Sequence, residues 1–115
     1  MDKKLLNNIA NNLVKDSKGI LAADESTGTI TKRFNQINLE SNFENRRMYR
    51  EILFSTPDLE EFISGIIFYD ETIRQNDSNN ISFVNLLQNK GIHVGIKVDK
   101  GAKKLFGTDD ETITE

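Results

Sequence analysis

The sequence predicts an α/β protein with a parallel sheet, and three short, largely apolar runs are the main evidence. Residues 20–23, 63–69 and 92–98 each have the length and composition of a buried strand, and charged side chains follow each of them. Most of the segments between these runs have the apolar spacing of helices. Strands that alternate with helices are joined by right-handed crossovers, so neighbouring strands are expected to be parallel.

The first two helices flank the first run. A helix is predicted over residues 2–15, because Leu5, Ile9 and Leu13 fall on one side of it with Lys and Asn between them. A turn at residues 16–19 then leads into the first strand. The next helix is predicted to begin near Thr29, directly after the strand and its turn.

Two further helices have recognisable ends. Ser41 and Glu44 have the spacing of a capping box, so a helix is predicted from Ser41 to Pro57. A helix beginning near Phe83 follows a polar loop, and Gly91 is placed to cap its C-terminal end. The tail after the third run is polar, and no helix or strand is predicted in it.

Composition excludes several classes of function. With 115 residues and 13.1 kDa the chain has the size of one domain, and only 37% of it is hydrophobic. The absence of cysteine and the single His93 exclude disulfides and a Cys or His zinc site. A formal charge of −3 without a basic cluster argues against nucleic-acid binding. No apolar stretch predicts a membrane span or signal peptide, so a soluble, cytoplasmic protein is expected.

Ionisable side chains stand at the end of every predicted strand. Because the C-terminal ends of parallel strands share one edge, these groups are predicted to surround a single site. An ammonium in a buried strand needs an anionic partner, which makes Asp24 the expected partner of Lys97. A structural salt bridge at the strand ends is the alternative. The strand-end groups are Asp24, Glu25, Asp70, Glu71, Lys97, Asp99 and Lys100.

A hydroxyl-rich turn follows the first strand and predicts a phosphate site. Ser26 and Thr29 lie in this turn, and the helix after it carries Lys32 and Arg33. Free N–H groups at a helix start, with hydroxyls and cations nearby, favour phosphate. The run is not a P-loop, and Ser and Thr are also ordinary turn and cap residues.

Four other residues are weaker candidates for chemistry. Asp70 could act as an acid or base, although capping or solvation is the simpler interpretation. Phe68 and Tyr69 are predicted to be core side chains. His93 lies inside a strand without a visible relay partner, so a structural or surface role is expected.

Several motifs together resemble class I fructose-1,6-bisphosphate aldolase. They occur in the order and spacing of that family, from about residue 5 to residue 115. The matching segments are residues 18–29 (KGILAADESTGT), 32–33 (KR), 44–47 (ENRR) with 49–50 (YR), 71–72 (ET) and 95–101 (GIKVDKG).

The resemblance implies a (β/α)8 TIM barrel of which residues 1–115 are an N-terminal segment, an incomplete domain with about three of eight strands. It implies a cytoplasmic enzyme of glycolysis that needs no metal or cofactor and forms a homotetramer. Such enzymes cleave fructose 1,6-bisphosphate to dihydroxyacetone phosphate and glyceraldehyde 3-phosphate through a Schiff base.

The resemblance also implies roles for five residues. Asp24 would orient the Schiff-base lysine and the substrate C4 hydroxyl, and Lys97 would be a cation that supports catalysis and binds phosphate. Ser26, Thr29 and Arg33 would contact the sugar phosphate. Thr29 stands where serine is common.

The Schiff-base lysine of the family lies on a later strand, so neither Lys97 nor Lys100 is assigned that role. The 115-residue chain is expected to be inactive alone. Two alternatives remain open. One is a receiver-like phosphotransfer domain with Asp70 as phospho-acceptor, and the other is a non-catalytic remnant that binds a sugar phosphate.

Overall fold

The computed structural model describes all 115 residues, Met1–Glu115. None of its helices is both long and apolar enough to cross a membrane. Short 3-10 turns lie at Lys15–Ser17 and Thr72–Arg74. The other elements are, in chain order, α1 (Lys3–Leu13), β1 (Gly19–Ala23), α2 (Thr27–Asn35), α3 (Phe43–Phe54), α4 (Leu59–Phe62), β2 (Ile63–Phe68), α5 (Phe83–Asn89), β3 (His93–Ile96), β4 (Ala102–Lys104) and β5 (Thr112–Thr114).

Strands β1, β2 and β3 form one parallel sheet with β2 in the centre. Ala22 pairs with Ile67, and Ile67 pairs with Gly95 on its other side. Helices connect the strands, as right-handed crossover topology requires of parallel neighbours. The predicted α/β class and parallel sheet are confirmed.

The core lies between one face of the sheet and helices α3 and α5. Phe54 of α3 stacks on Phe68 of β2, with ring centroids 5.0 Å apart, and meets Phe83 of α5 edge-on at 5.1 Å. All three rings are fully buried. Burial of each large apolar side chain contributes about 2–3 kcal/mol, so this aromatic cluster holds the two helices on the sheet.

The opposite face of the sheet is covered much less. Leu13 of α1 packs over Gly65 so closely that a Cβ there would lie 2.6 Å from a Leu13 methyl carbon. Glycine therefore gives α1 its close approach to the sheet. Beside Gly65, on the neighbouring strand, Ile20 is about half exposed, at 49%. Since side chains alternate along a strand, this is the face on which Ala22, Ile67 and Gly95 also lie.

Two helix starts differ from the sequence prediction. Helix α2 begins at Thr27, two residues earlier than expected, because the Ser26 side chain caps it. Helix α3 is capped by Asn42, whose side chain accepts a hydrogen bond from the Asn45 N–H, so the capping box predicted for Ser41 and Glu44 is absent. The Ser41 hydroxyl instead accepts from the Thr31 hydroxyl at 2.8 Å, a partner distant in sequence.

The end of the third run and the tail also differ. Strand β3 ends at Ile96, although the Lys97 N–H still donates to the Phe68 carbonyl at 2.8 Å. The tail forms an antiparallel hairpin of β4 and β5, which the sequence did not predict. Gly91 has a φ of +75° just after α5, as expected of a C-terminal cap.

Candidate active site

Three side chains just beyond the strand ends lie on the open face of the sheet. Asp24 is two residues past Ala22, Tyr69 is two past Ile67, and Lys97 is two past Gly95. Alternation places all three on the same face, at the C-terminal edge of the sheet. They line a cavity of about 610 Å³ together with Glu25, Ser26, Thr29, Asp99, Lys100 and Gly101.

Lys97 lies between two carboxylates in this cavity. Its Nζ donates to Oδ2 of Asp99 at 2.5 Å and lies 3.6 Å from Oδ2 of Asp24. The predicted pairing with Asp24 is confirmed, and Asp99 is a closer partner. The hydrogen bond to Asp99 raises the pKa of Lys97, and the charge of Asp24 acts in the same direction. Lys97 is therefore a fixed cation, which suits binding of an anion and not nucleophilic attack.

The hydroxyl groups of Ser26 and Thr29 meet at the start of α2. The Thr29 N–H donates to the Ser26 Oγ at 3.3 Å, and the two hydroxyl oxygens are 3.2 Å apart. Both residues line the cavity at the positive end of the helix dipole. The structure thus places together the hydroxyls that the sequence proposed for phosphate binding.

Glu25 is the centre of an ion-pair network that the sequence did not predict. Its Oε2 accepts from Arg50 at 2.5 Å, its main-chain carbonyl accepts from Arg50 at 2.7 Å, and its Oε1 accepts from Arg33 and from the Tyr49 hydroxyl. Burial acts to raise the pKa of Glu25, but the hydrogen bonds and charge of Arg50, with Arg33, outweigh it and lower the pKa. Glu25 therefore remains anionic.

One sequence signal could have indicated this network. Arg50 is four residues before the buried Phe54 on α3, so both fall on the inner side of the helix. A guanidinium in that position needs a carboxylate, because an unpaired buried charge is strongly destabilising. The pattern requires a partner without identifying Glu25, which is 25 residues away.

Arg33 does not line the cavity. Its guanidinium is bound to Glu25 and donates to the Tyr49 hydroxyl at 3.1 Å, and its side chain is 51% exposed. Exposed ion pairs of this kind contribute about 0–1 kcal/mol, so Arg33 is weakly held.

The second strand contributes less to the cavity than expected. Asp70 and Glu71 are turned away: Asp70 pairs with Arg74 at 2.7 Å, and Glu71 pairs with Arg46 at 2.8 Å. The prediction that every strand-end group gathers at one site is wrong for these two. Asp70 is also separate from Asp24 and Lys97, so the constellation of a receiver domain does not assemble.

Phe68, Tyr69 and His93 lie in three different surroundings. Phe68 is a core side chain as expected, but Tyr69 is not, because it lines the cavity. His93 lies at the opposite end of the sheet, beside Ser64 and Gly91. No group of three side chains suited to a metal occurs in the chain.

Comparison with known proteins identifies the family. Residues 5–115 match the model for fructose-bisphosphate aldolase class-I. The chain belongs to the class I fructose-bisphosphate aldolase family. It is 54% identical over 114 residues to fructose-bisphosphate aldolase C of mouse (Mus musculus) and of human (Homo sapiens). These matches cover 98% of this chain and 31% of each relative, so the chain spans about a third of their length.

A solved aldolase has the same fold over this segment. The aldolase of Plasmodium falciparum, in a ternary co-crystal structure with TRAP and a small-molecule inhibitor, superposes with a TM-score of 0.93 at 50% identity. The superposition covers 97% of this chain and 32% of the solved one. The three-stranded sheet is therefore part of an aldolase TIM barrel, as the sequence predicted.

Membership of this family shows which face of the sheet lies outside the barrel and which lies inside. In a (β/α)8 barrel the helices cover the outside, and the other face of each strand points to the interior. Phe68 is on the helix-covered face, so Asp24 and Lys97 are on the interior face. They are also at the C-terminal ends of the strands, where the active sites of such barrels lie.

Proposed function

We propose that this chain is the N-terminal part of an enzyme that cleaves fructose 1,6-bisphosphate to dihydroxyacetone phosphate and glyceraldehyde 3-phosphate through a Schiff base. The observation that supports this best is the 3.6 Å approach of Lys97 to Asp24 in a cavity at the C-terminal end of the sheet. Curated relatives of this segment are fructose-bisphosphate aldolases.

Asp24 and Lys97 would contribute charge of opposite sign to the reaction. In a Schiff-base cleavage the lysine amine and the C2 ketone condense with loss of water, and the iminium accepts the electrons of the C3–C4 bond as the C4 hydroxyl loses its proton. The Asp24 carboxylate is suited to orient the lysine and that hydroxyl, and the Lys97 ammonium to balance negative charge beside them. The Schiff-base lysine itself would lie outside these 115 residues.

The phosphate of the sugar would bind at the start of α2. Ser26, Thr29 and Lys97 line one cavity, which supports a shared role in contacting one phosphoryl group. Arg33 would join them only after leaving Glu25, which keeps Arg50 as its partner. The exposed position of Arg33 makes this exchange inexpensive.

The remaining parts of the proposal follow from the family. The whole enzyme would work in the cytoplasm without a cofactor and as a homotetramer, and the 115-residue chain alone would bind the sugar bisphosphate without cleaving it. Binding without a catalytic role in any larger protein is the competing proposal.

A chimera separates these proposals. The chain replaces the matching segment of the Plasmodium falciparum aldolase, and cleavage of fructose 1,6-bisphosphate is measured. We expect an active chimera whose turnover falls about a hundredfold or more in Asp24→Asn and Lys97→Met, whereas Asp70→Asn, outside the cavity, retains it. A folded but inactive chimera would favour the binding remnant. Unchanged turnover in both site variants would refute the assigned roles, and robust cleavage by the isolated chain would refute its dependence on later strands.

A further inference from the structure

Arg50 is the most buried charged side chain of the cavity's surroundings, yet it does not line the cavity. Its side chain is 3% exposed, and both of its hydrogen bonds go to Glu25, one to the carboxylate and one to the main-chain carbonyl. We call this contact the fork: one guanidinium donates to both the carboxylate and the main-chain carbonyl of the same residue. It fixes the peptide plane as well as the carboxylate. Glu25 is the residue between Asp24 and Ser26.

We infer that Arg50 is a positioning residue for the cavity, which acts through Glu25 to fix the turn that carries Asp24 and Ser26. This inference deepens the proposed function and rests on it for the identity of the ligand. The carbonyl that Arg50 holds belongs to the peptide unit that leads into Ser26, the cap of α2. Through this cap Arg50 also sets the place of the Thr29 hydroxyl.

Tyr49 extends the same connection along α2. The Arg50 guanidinium lies 5.3 Å from the centre of the Tyr49 ring, and the Tyr49 hydroxyl donates to Glu25. The Tyr49 ring also meets Phe34 of α2 edge-on, with centroids 5.8 Å apart. Helix α3 thus contacts α2 and the turn before it, so the start of α2 is held from outside the cavity.

A buried ion pair adds little net stability, because removing two charges from water costs free energy. The burial of Arg50 and Glu25 is therefore better explained by a role in geometry. Apolar side chains of similar volume often replace such a pair without loss of stability, whereas removal of one partner leaves an unpaired charge. The pair of Arg50 and Glu25 is therefore expected to matter for the shape of the turn more than for folding. This difference provides the test.

The test compares ligand affinity with stability in three variants of the full 115-residue chain. Arg50→Lys keeps the charge and loses the fork, and the double variant Glu25→Gln with Arg50→Met removes both charges together. Arg47→Lys is the matched control, because Arg47 makes ion pairs with Glu44 and Glu51 on the same helix, away from the turn. The probe is fructose 1,6-bisphosphate, measured by calorimetry, with melting temperature measured alongside.

We expect the double variant to melt close to the wild type and to bind the probe about tenfold or more weakly. Arg50→Lys is expected to lose affinity to a similar extent, and Arg47→Lys to stay within about twofold of the wild type. Retained affinity in Arg50→Lys, which leaves the pair of Glu25 and Arg33 in place, or an equal loss in Arg47→Lys, would overturn the inference.

Amide hydrogen exchange, measured on the chain without ligand, tests the role of Arg50 independently of the proposed function. The Thr29 N–H is bound to the Ser26 Oγ, and the Asn85 N–H is bound in the same way to the Ser82 Oγ at the start of α5. Loss of the fork is expected to speed exchange at Thr29 about tenfold relative to Asn85. Equal acceleration at both amides would show a merely structural role. A wild-type chain that binds no sugar bisphosphate would refute the proposed binding by the chain alone, and the chimera would still test the catalytic proposal; this comparison would then decide the role of Arg50.

Discussion

The Nζ of Lys97 lies 3.6 Å from Oδ2 of Asp24, although their strands do not pair with each other. The central strand β2 separates β1 from β3, so the two side chains meet above its C-terminal end. Each is the first residue after its strand, and both have the alternation that points to the open face of the sheet. The pair is therefore a direct consequence of where β1 and β3 end.

Replacement of Lys97 by methionine is expected to weaken binding of fructose 1,6-bisphosphate by the chain about tenfold or more, because one charge-assisted contact to phosphate is lost. The measurement is isothermal calorimetry. Lys103→Met is the control, since Lys103 is exposed on β4 and pairs with Glu115. If both substitutions weaken binding equally, net charge and not the position of Lys97 controls affinity.

Removal of the Ser26 hydroxyl is expected to have two effects. Ser26→Ala loses the cap of α2, which lowers the free energy of unfolding by about 1 kcal/mol, and it also removes a hydroxyl from the cavity. Ser82→Ala removes the equivalent cap of α5 far from the cavity, with a similar loss of stability. Urea denaturation and calorimetry measure the two quantities. Only Ser26→Ala should weaken sugar bisphosphate binding, and a parallel loss in Ser82→Ala would contradict the phosphate role.

The sequence predicts those parts of the site in which the position of a side chain depends only on its neighbours along the chain. Asp24 and Lys97 follow apolar runs directly, so their position at the sheet edge could be inferred from alternation alone. The direction of Asp70 could not, because it depends on a local bend that pairs it with Arg74. Tyr69 lines the cavity by the same alternation, two residues past Ile67, so its aromatic character suggested the core although its place along the strand did not.

Contacts distant in sequence account for most of the other differences. The sequence favours Ser41 as the cap of α3, but the Ser41 hydroxyl is bound to Thr31, and Asn42 caps the helix instead. Arg50 binds Glu25, which is 25 residues away, and the only sign of this contact in the sequence is an arginine on the inner side of α3. The hairpin of β4 and β5 lies in a polar tail whose strands are exposed, so no apolar alternation marks them.

Acid is expected to destabilise the chain partly through Glu25. Its pKa is lower in the folded chain than its ordinary value of 4.5, so its contribution to stability is complete above that value and is lost as pH falls through the folded pKa. Chemical denaturation at a series of pH values below 5 measures the free energy of unfolding. This free energy should fall less steeply with decreasing pH in Glu25→Gln than in the wild type. The control is Glu44→Gln, since Glu44 also has a lowered pKa but is mostly exposed. A decline of identical slope in wild type and Glu25→Gln would contradict the prediction.

The aromatic cluster is expected to dominate stability. Phe54 is fully buried between Phe68 and Phe83, so Phe54→Ala should lower the free energy of unfolding by about 3–5 kcal/mol or abolish folding. Phe106 is fully exposed near the hairpin, and Phe106→Ala should leave stability within about 0.5 kcal/mol. Circular dichroism during thermal and urea unfolding checks both. A small effect at Phe54 would mean that this cluster does not hold α3 to the sheet.

The two outer strands of the sheet give a prediction about association. Strands β1 and β3 each have one edge without a partner, and apolar side chains such as Ile20 and Ile96 are exposed beside them. Unpaired edges with apolar neighbours bind other strands, so the isolated chain is expected to self-associate as its concentration rises. Sedimentation velocity measures this. A charge at the edge, in Ile96→Lys, should shift the chain toward monomer, whereas Ile52→Lys on the exposed side of α3 should not. If Ile52→Lys had the same effect, association would occur through the helical surface and not through the sheet edge.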